Sequence, residues 1–363
     1  MKFRKLLIVL GLAALIVAGC APKPTPTPTP VSPTATLTSV PPTATPTPVP
    51  PTPTPMPAPY PMTITDMAGR EVTIEVEPQA IVSLASSNTE ILYALGLGDK
   101  VVGVTEFCNY PPEVTAKPKV GGFADVDTEK VVEVGPDLIL VANIHAAEVV
   151  PALEKLGLTV VVIDPPDIAG VLEGIKLVGK MTSQEKEAEA LTAEMQERIN
   201  LVAKSVEGRE RSRVFWEISS DLWTAGPGSF INDLIVRAGG ENIAAEAEAP
   251  WAQLSNEAII AADPEVIFLA DHPFGETAET VAARPGWDKI SAVVNDCVVE
   301  IKDTDIFSRP GPRVVDALEM AAKALHCDAF ESSSAALALV WCMLLRLPLL
   351  RPSTLMPLSK ERG

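Results

Sequence analysis

"EKVVEVGPDLILVA" at residues 129–142 and "EAIIAADPEVIFLA" at residues 257–270 are one pattern present twice. They align without gaps at an offset of 128, with Glu129 on Glu257, Pro136 on Pro264, Asp137 on Glu265 and Ala142 on Ala270. In each copy apolar residues at helical spacing run up to a proline, which cannot continue a helix. An unbroken apolar run comes next, the mark of a strand buried on both faces. A weaker echo sets "LYALGLGDKV" (92–101) beside "LIVRAGGENI" (234–243). Two echoes in the same order mean one structural unit built twice. Solenoids repeat many times with a period of ~20–50 residues, whereas this unit recurs once, which predicts two facing lobes.

Outward from the repeat, strand patterns fall at 81–85, 101–104, 138–142 and 159–163, then at 213–218, 242–244, 266–270 and 297–301. They alternate with helical patterns, which predicts α/β units with parallel sheets. "TITDMAGREVTIEV" (63–76) alternates around Gly69 and reads as an opening hairpin. Between the halves, Thr182 with Glu185 reads as a capping box. Ala188, Leu191, Met195, Ile199, Val202 and Val206 then form one apolar stripe, and Gly208 ends the helix. The expected architecture is therefore α/β. Two Rossmann-like lobes with parallel sheets, 62–181 and 208–326, are joined by a single long helix at 182–207, with a ligand cleft between them. A rigid helical joint permits small rocking, where paired strand hinges would permit wide closure.

Residues 1–20 pass from a basic start, "MKFRK", through an apolar core to "LIVAGC", the parts of a secretory signal. Ala18 and Gly19 before Cys20 resemble a bacterial lipobox, which implies cleavage and lipid attachment at Cys20. Residues 21–61 hold 17 of the 35 prolines and 11 threonines. Proline lacks the amide donor and restricts its neighbour, so this linker is an extended stalk. Residues 327–363 form a C-terminal extension, expected to be poorly ordered. Its apolar core is interrupted by Arg346 and Pro348. The expected location is extracytoplasmic, at the outer face of the membrane.

The net charge of −18 repels phosphate backbones and argues against nucleic acid as a partner. Five cysteines without a CxxC and three scattered histidines give no metal site.

In parallel α/β sheets, ligands sit beyond the carboxyl ends of the strands. The loops expected there carry most of the aromatic residues outside the core. "SSNTE" (86–90) offers Ser86 and Asn88 to cap a helix and bond a ligand. "EFCNYPP" (106–112) brings Phe107 and Tyr110, "GGFAD" (121–125) Phe123, "DLWTAGPGS" (221–229) Trp223 and "APWAQLS" (249–255) Trp251. "DIFSRPGPR" (305–313) adds Phe307, Arg309 and Arg313. Aromatic rings in Gly/Pro loops suit a large ligand with apolar faces.

"PWAQLSNEAIIAADPEVIFLA" together with "SRPGPR", "NYPP" and the lipoprotein leader resembles the cobalamin and iron-siderophore family of ABC-transporter binding proteins. The resemblance covers nearly all of residues 63–326. It implies a two-lobed monomer without intrinsic cofactor, which captures a ligand and delivers it to an ABC permease dimer with its ATPase subunits. In that family one surface glutamate per lobe pairs with permease arginines, and those positions match Glu129 and Glu257. A duplicated chain supplies the two equivalent contacts that a two-fold permease needs. Each glutamate also opens a helix, where its charge favours the macrodipole.

For the ligand, the reading is cobalamin or a related corrinoid, which is amphipathic and near neutral. Ferric siderophores present anionic faces and attract several arginines, whereas the expected cleft offers mainly Arg309 and Arg313. A ferric siderophore and haem are the alternatives. Haem would call on His145, His272 or Tyr110 as an axial ligand, with His145 and His272 just beyond the two repeated strands. The competing class, an enzyme on the same layout, finds no support in motifs: GxSxG, Walker, HExxH and strand-associated GxGxxG patterns are all missing.

Overall fold

The computed structural model describes residues 60–326. The leader with Cys20, the stalk up to residue 59 and the extension 327–363 lie outside the described residues. The chain enters through the antiparallel hairpin β1 (Met62–Thr65) and β2 (Glu71–Ile74). The first lobe then runs β3 (Ile81–Ser83), α1 (Ser86–Ala94), β4 (Val101–Val104), α2 (Thr128–Glu133), β5 (Leu138–Val141), α3 (Val149–Lys155), β6 (Val160–Val162) and α4 (Ile168–Met181). Helix α5 (Glu185–Val206) leads to the second lobe. There β7 (Ser212–Glu217), β8 (Trp223–Ala225), α6 (Phe230–Arg237), β9 (Gly240–Asn242), β10 (Trp251–Gln253), α7 (Asn256–Ala262) and β11 (Val266–Leu269) come first. After them come α8 (Ala278–Ala282), α9 (Ser291–Val294), β12 (Val298–Glu300), α10 (Asp305–Ser308) and α11 (Val314–Leu325).

The duplication is visible in the sheets. The first is ordered β4-β3-β5-β6 and the second β9-β7-β11-β12, parallel throughout. Strand for strand these are the same arrangement; seven expected strands lie where predicted, and the one expected at 242–244 forms two residues earlier, as β9. The repeat also reproduces its fastenings. The Asp137 carboxylate accepts the backbone amides of Gln79 and Ala80 at the entrance to β3, and the Glu265 carboxylate accepts the amide of Arg213 in β7. In each copy the helix before the proline stops on a left-handed residue, Gly135 (φ +63°) or Asp263 (φ +45°). Asp263 tolerates that conformation because its carboxylate accepts the amide and hydroxyl of Ser291. These same bonds, with Arg213 nearby, hold its pKa below the ordinary carboxylate range.

The weaker echo is one residue out of step. The left-handed glycines that end the matching helices are Gly96 and Gly239, whereas the gapless alignment sets Gly96 on Ala238. The joint also differs from expectation. Thr182 caps the end of α4, and its hydroxyl donates to the Val178 carbonyl at 2.7 Å. A break at Ser183 (φ +58°) separates the two helices, and α5 begins at Glu185 without a side-chain cap. The capping box is not formed because its threonine hydroxyl is already spent on the preceding helix.

Helix α5 spans about 33 Å at 1.5 Å per residue. It packs on α4 of the first lobe and α11 of the second. Its buried face of Ala188, Thr192, Met195, Ile199 and Val202 links the apolar cores of the two lobes into one cluster. Burial of that face, at ~25 cal/mol per Å² of apolar surface, fixes the lobes to a shared spine.

Candidate ligand-binding site

Beyond the carboxyl ends of the strands, large apolar side chains stand in solvent. Phe107, Tyr110 and Phe123 are exposed on the loops after β4. Ile144 is exposed on the 3-10 turn after β5, and Phe274, at 89% exposure, on the matching turn after β11. Trp223 and Trp251 (53% exposed) lie on the ribbon β8–β10. Its register pairs Trp251 with Ala225 and Trp223 with Gln253, so both indoles share one face as diagonal neighbours. Ile144 escapes a search for aromatic loops because it is aliphatic, whereas Phe274, between Pro273 and Gly275, stands in a Gly/Pro turn and is missed by the sequence reading all the same. Their signal is the repeat, since both turns come directly after its strands. A separate hollow of about 520 Å³ on the first lobe, bordered by Met67, Asp167 and Glu173, holds none of these aromatics.

Four expected contact residues are directed elsewhere. Phe307 is 4% exposed, with its ring 5.4 Å from that of Trp216; the single turn of α10 carries it into the core. His145 is 1% exposed. Its Nδ1 accepts the Ala142 amide and its Nε2 lies 2.6 Å from the Phe123 carbonyl, so both nitrogens are engaged and neither is available as an axial ligand. Asn88 is buried, and its amide donates to the carbonyls of Val141 and Ile163, tying together the ends of β5 and β6. Ser86 donates to the buried Cys108 thiol. Helix α1 starts without a side-chain cap because its N-cap residue is Ala85. The three polar groups, on His145, Asn88 and Ser86, serve their immediate neighbours near the sheet ends first, because unpaired buried groups are costly. Of the other two haem candidates, His272 gives Nδ1 to the Glu276 carbonyl at 2.8 Å, and the Tyr110 ring lies under a guanidinium.

That guanidinium belongs to Arg313, 4.0 Å from the Tyr110 centroid. Arg313 donates to both Glu90 carboxylate oxygens, at 2.9 and 2.6 Å. Arg309 reaches the same carboxylate at 3.3 Å, and also Asn109 (2.7 Å), the Phe107 carbonyl (3.1 Å) and Asp305 (2.7 Å). Asn109 donates in turn to Asp305. Glu90, Phe107 and Asn109 come from the first lobe, and Arg309, Arg313 and Asp305 from the second, so the network spans the junction. Hydrogen bonding to Glu90 raises the pKa of Arg313. Glu90 lies inside the "SSNTE" motif but carries no signal of its own, since a glutamate in a short helix reads as solvent-facing. Only the docking of residues 309–313 over α1 reveals its use: a Cβ on Gly311 would stand 3.3 Å from the Ser87 carbonyl.

A second buried acid cluster lies where β7 and β11 end. Glu217 is fully buried and clamped by Arg284 at 2.6 and 2.5 Å; Arg284 also holds Glu276 and covers the Trp287 ring. Beside it Asp271 is 3% exposed, and neither carboxylate oxygen has a donor. Burial, and then the Glu217 charge, push its pKa up to about 7.

Glu129 and Glu257 occupy equivalent positions. Asp127 caps α2 by accepting the amide of Lys130, and Ser255 caps α7 by accepting that of Ala258. Both glutamates are therefore second in their helices, and both are exposed. Among the described residues, no group of three or more His, Cys, Asp and Glu side chains could hold a metal ion, and no helix is long and apolar enough to cross a membrane.

A family model for periplasmic binding proteins matches residues 81–304. An uncharacterized ABC transporter substrate-binding lipoprotein, YvrC, of Bacillus subtilis is 37% identical over 281 residues, spanning 75% of this chain and 88% of that protein. A cobalamin-binding protein of Halobacterium salinarum is 32% identical over 277 residues, 74% of each chain. Among solved structures, a possible iron-binding (periplasmic solute-binding) protein from Staphylococcus epidermidis aligns with a TM-score of 0.62 at 32% identity. That alignment covers 69% of this chain and all of the other.

Proposed function

The chain belongs to the periplasmic binding protein family, and we propose that it captures cobalamin or a related corrinoid between its lobes for an ABC importer. It is an extracytoplasmic substrate-binding component that works with a permease and an ATPase. The observation carrying the ligand reading is the pairing of exposed aromatic side chains with neutralised arginines. Phe107, Tyr110, Phe123, Trp223 and Trp251 offer ring faces, while Arg309 and Arg313 are committed to Glu90. Such a surface suits a large amphipathic ligand of small net charge. The cobalamin-binding relative supports the same choice. An iron chelate is the second reading, favoured by the similarity to the Staphylococcus epidermidis structure.

The test is to mix the purified chain with cyanocobalamin, a ferric siderophore panel and haemin, and to follow each chromophore through gel filtration. Co-elution of the corrinoid alone is expected; retention of a ferric chelate in its place would overturn the corrinoid reading.

In this proposal Glu129 and Glu257 are the permease contacts. Their support is the duplicated geometry: two exposed carboxylates with equivalent caps, neither with an ion pair among the described residues. Replacing both by alanine should abolish uptake and leave ligand affinity unchanged. We also propose a monomer anchored through a lipid on Cys20, whose support is the lipobox-like "LIVAGC" and the lipoprotein relative. Mass spectrometry of the membrane-bound chain should find acyl chains at Cys20.

A further inference from the structure

We propose that Glu90 sets the charge selectivity of the cleft, by cancelling two arginines that would otherwise draw in an anionic ligand. The proposal rests on the reading that the ligand enters between the lobes. The Arg309 and Arg313 side chains are 11% and 16% exposed, and that of Glu90 is 2% exposed. Two guanidinium groups sharing one buried carboxylate leave little free field. The remaining charge meets Asp305 at 2.7 Å and Asp303 at 3.9 Å, on carboxylates 33% and 61% exposed. Arg313 stacks on Tyr110, which is itself exposed, so the pair lies at the level of the aromatic walls.

Replacing the Glu90 carboxylate by an amide removes the buried counter-charge and keeps the shape. Of anionic partners, Arg313 would then retain only the distant Asp303, beside its stacking on Tyr110, and Arg309 only Asp305, beside its neutral bonds to Asn109 and the Phe107 carbonyl. Two poorly solvated cations without a buried partner demand an anion. An anionic chelate in the cleft would supply one through charge-assisted hydrogen bonds, which are the strong ones. Near-neutral ligands gain nothing comparable. Glu90 is therefore a specificity-determining residue that acts through Arg309 and Arg313.

The experiment titrates the parent chain and the Glu90→Gln, Glu90→Asp and Asp305→Asn variants with two probes, cyanocobalamin and a trianionic ferric tris-catecholate. Binding is read from quenching of tryptophan fluorescence, and folding from circular dichroism. In Glu90→Gln the preference for the ferric chelate over cyanocobalamin should rise about tenfold or more, the scale of one charge-assisted hydrogen bond. The rise should shrink with added salt. Glu90→Asp keeps the charge and should show a smaller rise or none. A preference in folded Glu90→Gln within about twofold of the parent, below the scale of a single such bond, overturns the proposal, as does an equal rise in Glu90→Asp. If Glu90→Gln does not fold, Asp305→Asn decides: this partly exposed partner of Arg309 should give a smaller rise of the same sign, and no rise refutes the role. If the parent binds no cyanocobalamin, the corrinoid reading fails. The absolute gain in ferric chelate affinity then still tests Glu90.

Discussion

Asp271 makes stability fall as pH rises through neutrality. Its carboxyl is 3% exposed, has no donor and faces buried Glu217; the Glu276 charge acts on it more weakly, and Arg284 is already bound to Glu217 and Glu276. In the folded chain its pKa is about 7, against an ordinary value of 3.8. Between those values the folded state holds a proton that the unfolded state has released. Since the slope of unfolding free energy tracks the protons bound in the unfolded minus the folded state, stability drops with pH across this window. The contribution is fully present below the unfolded pKa and is lost as pH passes the folded one. Of the total of about 4 kcal/mol, about 2–3 kcal/mol should disappear between about pH 5 and pH 8. The perturbation is Asp271→Asn, which keeps the shape and cannot ionise. Urea unfolding at the two pH values gives both stabilities, and comparing the chains cancels every other titrating group. The variant should gain about 2–3 kcal/mol relative to the parent on going from about pH 5 to pH 8. Profiles that stay parallel to within about 0.5 kcal/mol, the size of an ordinary surface effect, would refute the reasoning.

Arg284→Met strips the fully buried Glu217 of its cation, and should cost about 3–5 kcal/mol in the same unfolding assay. Gly239→Ala places a Cβ 2.5 Å from His326 Nε2 and 3.0 Å from Val206 Cβ at a φ of +87°. It should lower the melting temperature by more than Gly96→Ala, where φ is +74° and the space is open.

The legible part of this fold was the part set by local chemistry. Pro136 and Pro264 stop helices wherever they stand, and the apolar runs behind them have no use except as buried strands, so both sheets could be placed. The helix joint was half legible. The stripe from Ala188 to Val202 fixed a helix, yet the Thr182 hydroxyl could either cap α5 or back-bond to Val178, and the choice depended on where α4 ended. At the candidate site, the exposure of Phe107, Tyr110, Phe123, Trp223 and Trp251 was legible, since these aromatics had no hydrophobic run to join. Phe307, His145 and Asn88 were not legible, because a residue on the first turn beyond a sheet end can face either way and nearby backbone groups or the core claimed all three.

Duplication, layering and the positions of Glu129 and Glu257 come from the order of residues alone, since periodicity, proline and capping act over a few positions and need no knowledge of neighbours. The Glu90–Arg309–Arg313 network joins side chains more than two hundred residues apart, and the unpaired carboxyl of Asp271 exists only because Arg284 bonds Glu217 instead. Such pairings depend on how two folded surfaces meet, and Coulomb and desolvation energies act through space regardless of chain distance, so the tertiary structure had to decide them.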